Sequence, residues 1–265
     1  MRMMKVAASK ITVRFFAIIL ALGSGFSTTT FAEQGTQRDW SYSGLQFAGP
    51  AAWGDLRAEY GVCKSGRLQS PINIMSTSAQ KSALPQIVFQ YAPTYLRVVN
   101  TGHTTQVNPD KGGQIIVGGE TYTLVQYHFH APSEEQIDGK SFAMGAHFVH
   151  QNASGKIAVV AVLFEMGAYN PALSSLWARF PRVVGNEIAF SSVRIDMAKM
   201  LPADRSYYTY EGSLNMPPCT EGVTWFVLKQ PLTASAGQIR EFIAHHSVNA
   251  RPVQPLNGRQ VRVSQ

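Results

Sequence analysis

Residues 122–130, Tyr122-Thr123-Leu124-Val125-Gln126-Tyr127-His128-Phe129-His130, and residues 146–150, Ala146-His147-Phe148-Val149-His150, decide how this chain is read. Both stretches are rich in β-branched and aromatic residues and predict strands. Side chains two apart on a strand share a face, so His128 and His130 project side by side. A short connection, Ala131 to Lys140, then returns an antiparallel strand that carries His147. Paired strands bring the three imidazoles to one point. Three neutral nitrogens with an open fourth position are the arrangement of a catalytic zinc site rather than a closed structural one. The expectation is a metal-dependent enzyme with Zn2+ held by His128, His130 and His147.

Alternation along 141–151 sorts the returning strand. Ala143, Gly145, His147 and Val149 are small or functional and face a pocket. Phe142, Met144, Ala146, Phe148 and His150 face the core. His150 therefore reads as a buried, hydrogen-bonded core residue and not as a ligand. Further strand patterns occur at 96–100, 114–117, 157–164 and 223–228, with a hairpin turn at Asn152-Ala153-Ser154-Gly155-Lys156. Pro171 to Phe180 and Ala236 to Ala244 read as short helices, and His245-His246 as a solvated helix end. The sum is a β-dominated α+β fold, one domain with a large sheet and short peripheral helices.

The chain has 265 residues and a formal charge of +7. Residues 1–32 read as a signal peptide: Arg2, Lys5, Lys10 and Arg14 precede the apolar run Phe15 to Phe26, and Thr30-Phe31-Ala32 resembles a cleavage site. An uncleaved N-terminal anchor is the alternative. With those four basic groups set aside the remaining chain, 33–265, carries about +3, and no Lys/Arg run is interleaved with aromatics. Nucleic acid is not an expected partner, nor is a membrane once the leader is removed. An exported chain is periplasmic or secreted. In an oxidising compartment the two cysteines, Cys63 and Cys219, point to one long-range disulfide, with two buried thiols as the alternative.

A series of spaced motifs resembles the α-class carbonic anhydrases of the exported bacterial kind. They run in order from Trp40-Ser41-Tyr42 through Gln69-Ser70-Pro71-Ile72-Asn73-Ile74, Asn100-Thr101-Gly102-His103, Gln126 to His130, Ser133-Glu134, and His147 to His150. They continue through Gly212-Ser213-Leu214, Pro217-Pro218-Cys219, Val223-Thr224-Trp225 and Arg251-Pro252-Val253-Gln254-Pro255. The resemblance covers Trp40 to about Val261. It implies a mostly antiparallel, twisted sheet with zinc at the bottom of a cleft, and a Cys63–Cys219 bridge. It also implies reversible hydration of CO2, a small-molecule substrate, by a zinc-acidified water with a pKa near 7, for which carbonic anhydrase is the type example. By the same resemblance Val149, Val159, Leu214, Met216 and Val223 line the substrate pocket, His103 shuttles protons, and Glu134 and residue 215 orient the reacting oxygen. Gln126, Glu135 and Tyr210 are the residues expected to support the ligands. Such proteins are monomers or homodimers.

Four positions depart from the family pattern. Asn215 stands where threonine is usual, and Met216 where a small polar residue is usual. Gly145 replaces a glutamate that orients the third ligand, while Glu135 occupies a position that is normally histidine or asparagine. The reading is that the carboxylate has moved, and that Glu135 accepts the N–H of His147. Two competing functions are a zinc hydrolase with another substrate and a binding protein of low activity on the same scaffold.

Overall fold

Alternation of apolar and polar side chains in Glu120–His130 and Met144–Asn152 builds the middle of the sheet. The first of these strands starts with exposed Glu120, Thr121 and Thr123, then is buried on both faces from Tyr127 to His130. The second is buried throughout Met144 to His150. The computed structural model describes residues 40–43 and 48–265, which fall within the compact unit Gln34–Gln265. The leader assigned to residues 1–32 lies outside the described residues.

A 13-stranded sheet dominates. Its main path runs Glu187–Ile195, Thr94–Asn100, Thr105–Val107, Glu120–His130, Met144–Asn152, Ile157–Met166, Glu221–Leu228, Tyr207–Ser213, Arg262–Ser264 and Gln80–Ser82. Most neighbours are antiparallel, but the sheet is mixed. Ile157–Met166 runs parallel to Glu221–Leu228 and to Leu232–Ala234, and Arg262–Ser264 runs parallel to Gln80–Ser82. These parallel pairs join strands far apart in sequence, where a long return replaces a hairpin.

Register sets the site. His147 lies opposite His128, and Gly145 opposite His130. Val149 pairs with Gln126 but His150 pairs with Leu124, so Val125 is the extra residue of a bulge. One face of the sheet packs Tyr127, Phe129, Met144 and Phe148 against Ile239 and Phe242 of the helix Ala236–His246. Full burial of such side chains contributes about 1.5–3 kcal/mol each. The other face carries Val149, Val159, Leu163, Val223 and Trp225.

Strand alternation fails at one end of the predicted set. Phe142 packs with Val149, and Ala143 packs on the opposite cluster. Residues 142–143 form a break between Lys140–Ser141 and Met144–Asn152, so the period that starts at Met144 does not extend back through them. The two short helices occur where expected, as a 3-10 turn Pro171–Leu173 running into Ser174–Trp177, and as Ala236–His246. The second helix starts at a capping box: the Ser235 side chain accepts from the Gln238 backbone, and Gln238 reaches back. At its far end His245 is exposed, but His246 is not a solvated residue: it is half-buried, with Nε2 2.6 Å from Thr105 Oγ1. Cys63 and Cys219 form a disulfide across 156 positions, a closure that stabilises by about 5 kcal/mol in the chain-entropy model. No helix among the described residues is long and apolar enough to cross a membrane.

Candidate metal centre

His128, His130 and His147 each offer a ring nitrogen to one point, with those nitrogens within 4.8 Å of one another. The residues are 3%, 0% and 1% exposed. Each ring makes one hydrogen bond away from that point. His128 Nδ1 is 2.9 Å from Gln126 Oε1, His130 Nδ1 is 2.7 Å from the Asn249 carbonyl, and His147 Nε2 is 2.9 Å from Glu135 Oε2. Each of these partners is an acceptor, so each ring donates its single N–H outward. That fixes the tautomer and leaves His128 Nε2, His130 Nε2 and His147 Nδ1 as lone-pair donors.

The first two of those nitrogens are buried without a hydrogen-bond partner among the described residues. Buried polar atoms are rarely left so, and two orphaned nitrogens beside a third inward-facing one fit a metal ion. Burial, and next the neighbouring His147, hold the pKa of His128 well below the ordinary imidazole value. The same two causes act on His130 in that order, with His128 adding to them. Both rings are therefore in the neutral, ligating form.

Glu134 sits beside this cluster with its side chain fully buried. Its Oε1 accepts the Arg251 backbone N–H at 2.7 Å, and its Oε2 accepts from Asn215 Nδ2. Burial first, and then the charge of Glu135, push its pKa well up. Asn215 Nδ2 is also 3.4 Å from His147 Nδ1, so the amide borders both the carboxylate and the ligand set. Tyr210 is buried in the same wall, stacked on Trp225 at 6.1 Å, and burial followed by the Glu135 charge raises its phenol pKa. Trp225 packs edge-on against His147 at 5.0 Å.

Val149, Val159 and Val223 belong to one apolar cluster, and Leu214 packs against it. Met216 lies with Trp40, Trp53 and the disulfide in a separate one. His103 stacks on Trp40 at 3.7 Å, with Nε2 3.0 Å from the Trp40 carbonyl. The ring of Tyr42 is 6.4 Å from His103 and 6.3 Å from His130. His150 is separate from the cluster: it bonds Tyr91 Oη at 2.8 Å, and burial pulls its pKa down to about 3.

Two further contributors complete the site: Asn249 was not singled out in the sequence, and Arg251 was quoted only as part of a motif, without a role. Asn249 uses its carbonyl for His130, Oδ1 for the Ala131 N–H, and Nδ2 for the carbonyls of His103 and Phe129. Arg251 anchors Glu134 through its backbone, while its guanidinium binds Gln69, Ser70 and the Cys63 carbonyl. For Asn249 the only signal was its place, in the polar stretch just after a helix end.

Comparison with known proteins agrees with this geometry. Residues 48–265 match the family model for eukaryotic-type carbonic anhydrase. The chain is 43% identical to a carbonic anhydrase of Pectobacterium atrosepticum over 249 residues, covering 92% of this chain and 97% of that protein. It is 43% identical to a carbonic anhydrase of Neisseria gonorrhoeae over 250 residues, covering 94% and 96%. The solved α-carbonic anhydrase of Thermovibrio ammonificans, in complex with sulfanilamide, superposes with a TM-score of 0.80 at 44% identity, covering 85% of this chain and 98% of that one. With three inward-facing histidine nitrogens on a sheet of that shape, the chain belongs to the eukaryotic-type, or α, carbonic anhydrase family.

Proposed function

We propose that this protein is a zinc enzyme that interconverts CO2 and bicarbonate. The observation that carries the proposal is the set of three buried nitrogens, each aimed by a hydrogen bond on the far side of its ring. His128 Nε2, His130 Nε2 and His147 Nδ1 hold the ion. Neutral imidazoles leave its full charge in place, and zinc so held supplies an acidified water with a pKa near 7, as carbonic anhydrase exemplifies.

The remaining residues bind and orient. Val149, Val159, Val223 and Leu214 give an uncharged substrate an apolar wall, against which water competes poorly. Asn215 commits Nδ2 to Glu134, and its one acceptor, Oδ1, takes the orienting role. Glu134 is itself pinned by the Arg251 N–H, which keeps the amide in place. His103 relays the proton, its ring lying 6.4 Å from Tyr42, which in turn lies 6.3 Å from His130. Residues 1–32 act as an export leader, and the Cys63–Cys219 bridge supports a periplasmic or secreted location.

A stopped-flow CO2 hydration assay with metal analysis of the same sample tests this reading. The expected result is about one zinc per chain and hydration well above the buffer rate, lost in the variant with all three histidines changed to alanine. Zinc without hydration would favour a hydrolase with another substrate; absence of zinc would favour a binding protein.

A further inference from the structure

His147 offers Nδ1 to the cluster because its Nε2–H is donated elsewhere, to Glu135 Oε2 at 2.9 Å. The imidazole is 1% exposed and the carboxylate 0%. The carboxylate thus sits fully buried beside a second one, Glu134, with the His147 ring as its side-chain hydrogen-bond partner. The strand itself provides no such acceptor. Position 145 shares a face with His147 and is glycine, yet its backbone is ordinary strand, paired with His130 and Leu163. A Cβ at 145 would meet Ser133 Cα and Cβ at 3.5 Å, ordinary contact, so neither conformation nor crowding demands glycine there.

What lies over Gly145 is the segment that carries Glu135. Ser133 clamps that segment to the start of the His147 strand: its N–H donates to the Phe142 carbonyl at 3.0 Å, its Oγ accepts the Phe142 N–H at 2.9 Å, and its Oγ–H donates to the Glu135 carbonyl at 2.9 Å. From there the Glu135 side chain reaches His147 Nε2.

We infer that Glu135 is the positioning residue of the third metal-binding histidine, supplying from the neighbouring segment a carboxylate that the strand, with glycine at 145, does not. The inference rests on the zinc reading of the site, and its test separates the two. Zinc affinity is measured by chelator competition, and the visible spectrum of the cobalt(II)-substituted protein reports ligand geometry independently of turnover. Glu135→Gln keeps the shape and an acceptor but not the carboxylate, and weakens zinc binding by roughly 10-fold; Glu135→Ala weakens it by up to roughly 100-fold. Both shift the cobalt spectrum. Adding Gly145→Glu to Glu135→Ala returns a carboxylate to the same nitrogen and recovers most of the affinity and the wild-type spectrum. Glu135→Gln with wild-type affinity and spectrum overturns the inference, as does a folded double variant that recovers neither. A wild-type protein that binds no zinc instead overturns the functional reading.

Discussion

In the proposed function, Asn215 is the residue expected to set catalytic efficiency. Its Nδ2 donates to Glu134 and lies 3.4 Å from His147 Nδ1, so a planar amide occupies the place where a shorter hydroxyl would accept and donate through a single oxygen. A hydrogen bond worth about 1.4–2.7 kcal/mol at the transition state corresponds to ~10–100-fold in rate. Asn215→Thr is therefore expected to raise the CO2 hydration rate by at least ~10-fold with zinc content unchanged; a rate equal to or below wild type would show that the amide orients the reaction as well as a hydroxyl does. The ligand histidines were legible in the sequence because a strand's period of two fixes which side chains share a face. The Asn249 carbonyl that aims His130 was not, because every residue carries a carbonyl and only the end of a helix distant in sequence brings this one to the ring.

At the scale of elements, His150 records the cost of burying one face of a strand completely. Together with Tyr91 it forms a polar pair inside the apolar layer around Phe148, with the Tyr91 ring stacked on both. Burial holds His150 neutral down to about pH 3, whereas an unfolded histidine titrates near 6.5. Between those values the unfolded chain binds the extra proton, so this residue's contribution to stability falls as pH falls. The loss is about 2 kcal/mol between pH 7 and pH 5. Replacing both partners, Tyr91→Phe with His150→Phe, leaves no orphaned group. Thermal melts at the two pH values are expected to show a smaller acid-induced drop than in wild type; an equal drop would mean that other groups carry the acid sensitivity. The alternation that places His150 in the core was readable from sequence. The break at 142–143, which sends Phe142 to the opposite face, was not, because an irregularity of two residues leaves no periodic trace.

On the scale of the whole molecule, a mixed sheet sets two strands in register so that His147 faces His128. Residues distant in sequence, Asn249 and Arg251 after the last helix, close the back of the site. The long disulfide ties Cys219, near Asn215 in sequence, to Cys63. The parallel pairings that make the sheet mixed depend on which distant strands meet, and no local pattern announces that. In the proposed function this architecture converges on one metal held by His128, His130 and His147 and used on CO2. The direct test is stopped-flow CO2 hydration by one preparation in three states: as purified, stripped of metal by a chelator, and reloaded with zinc at one equivalent per chain. The account predicts hydration in the first state, its loss in the second and its return in the third. Hydration that persists after complete removal of the metal, or a reloaded protein that leaves CO2 untouched, would contradict it.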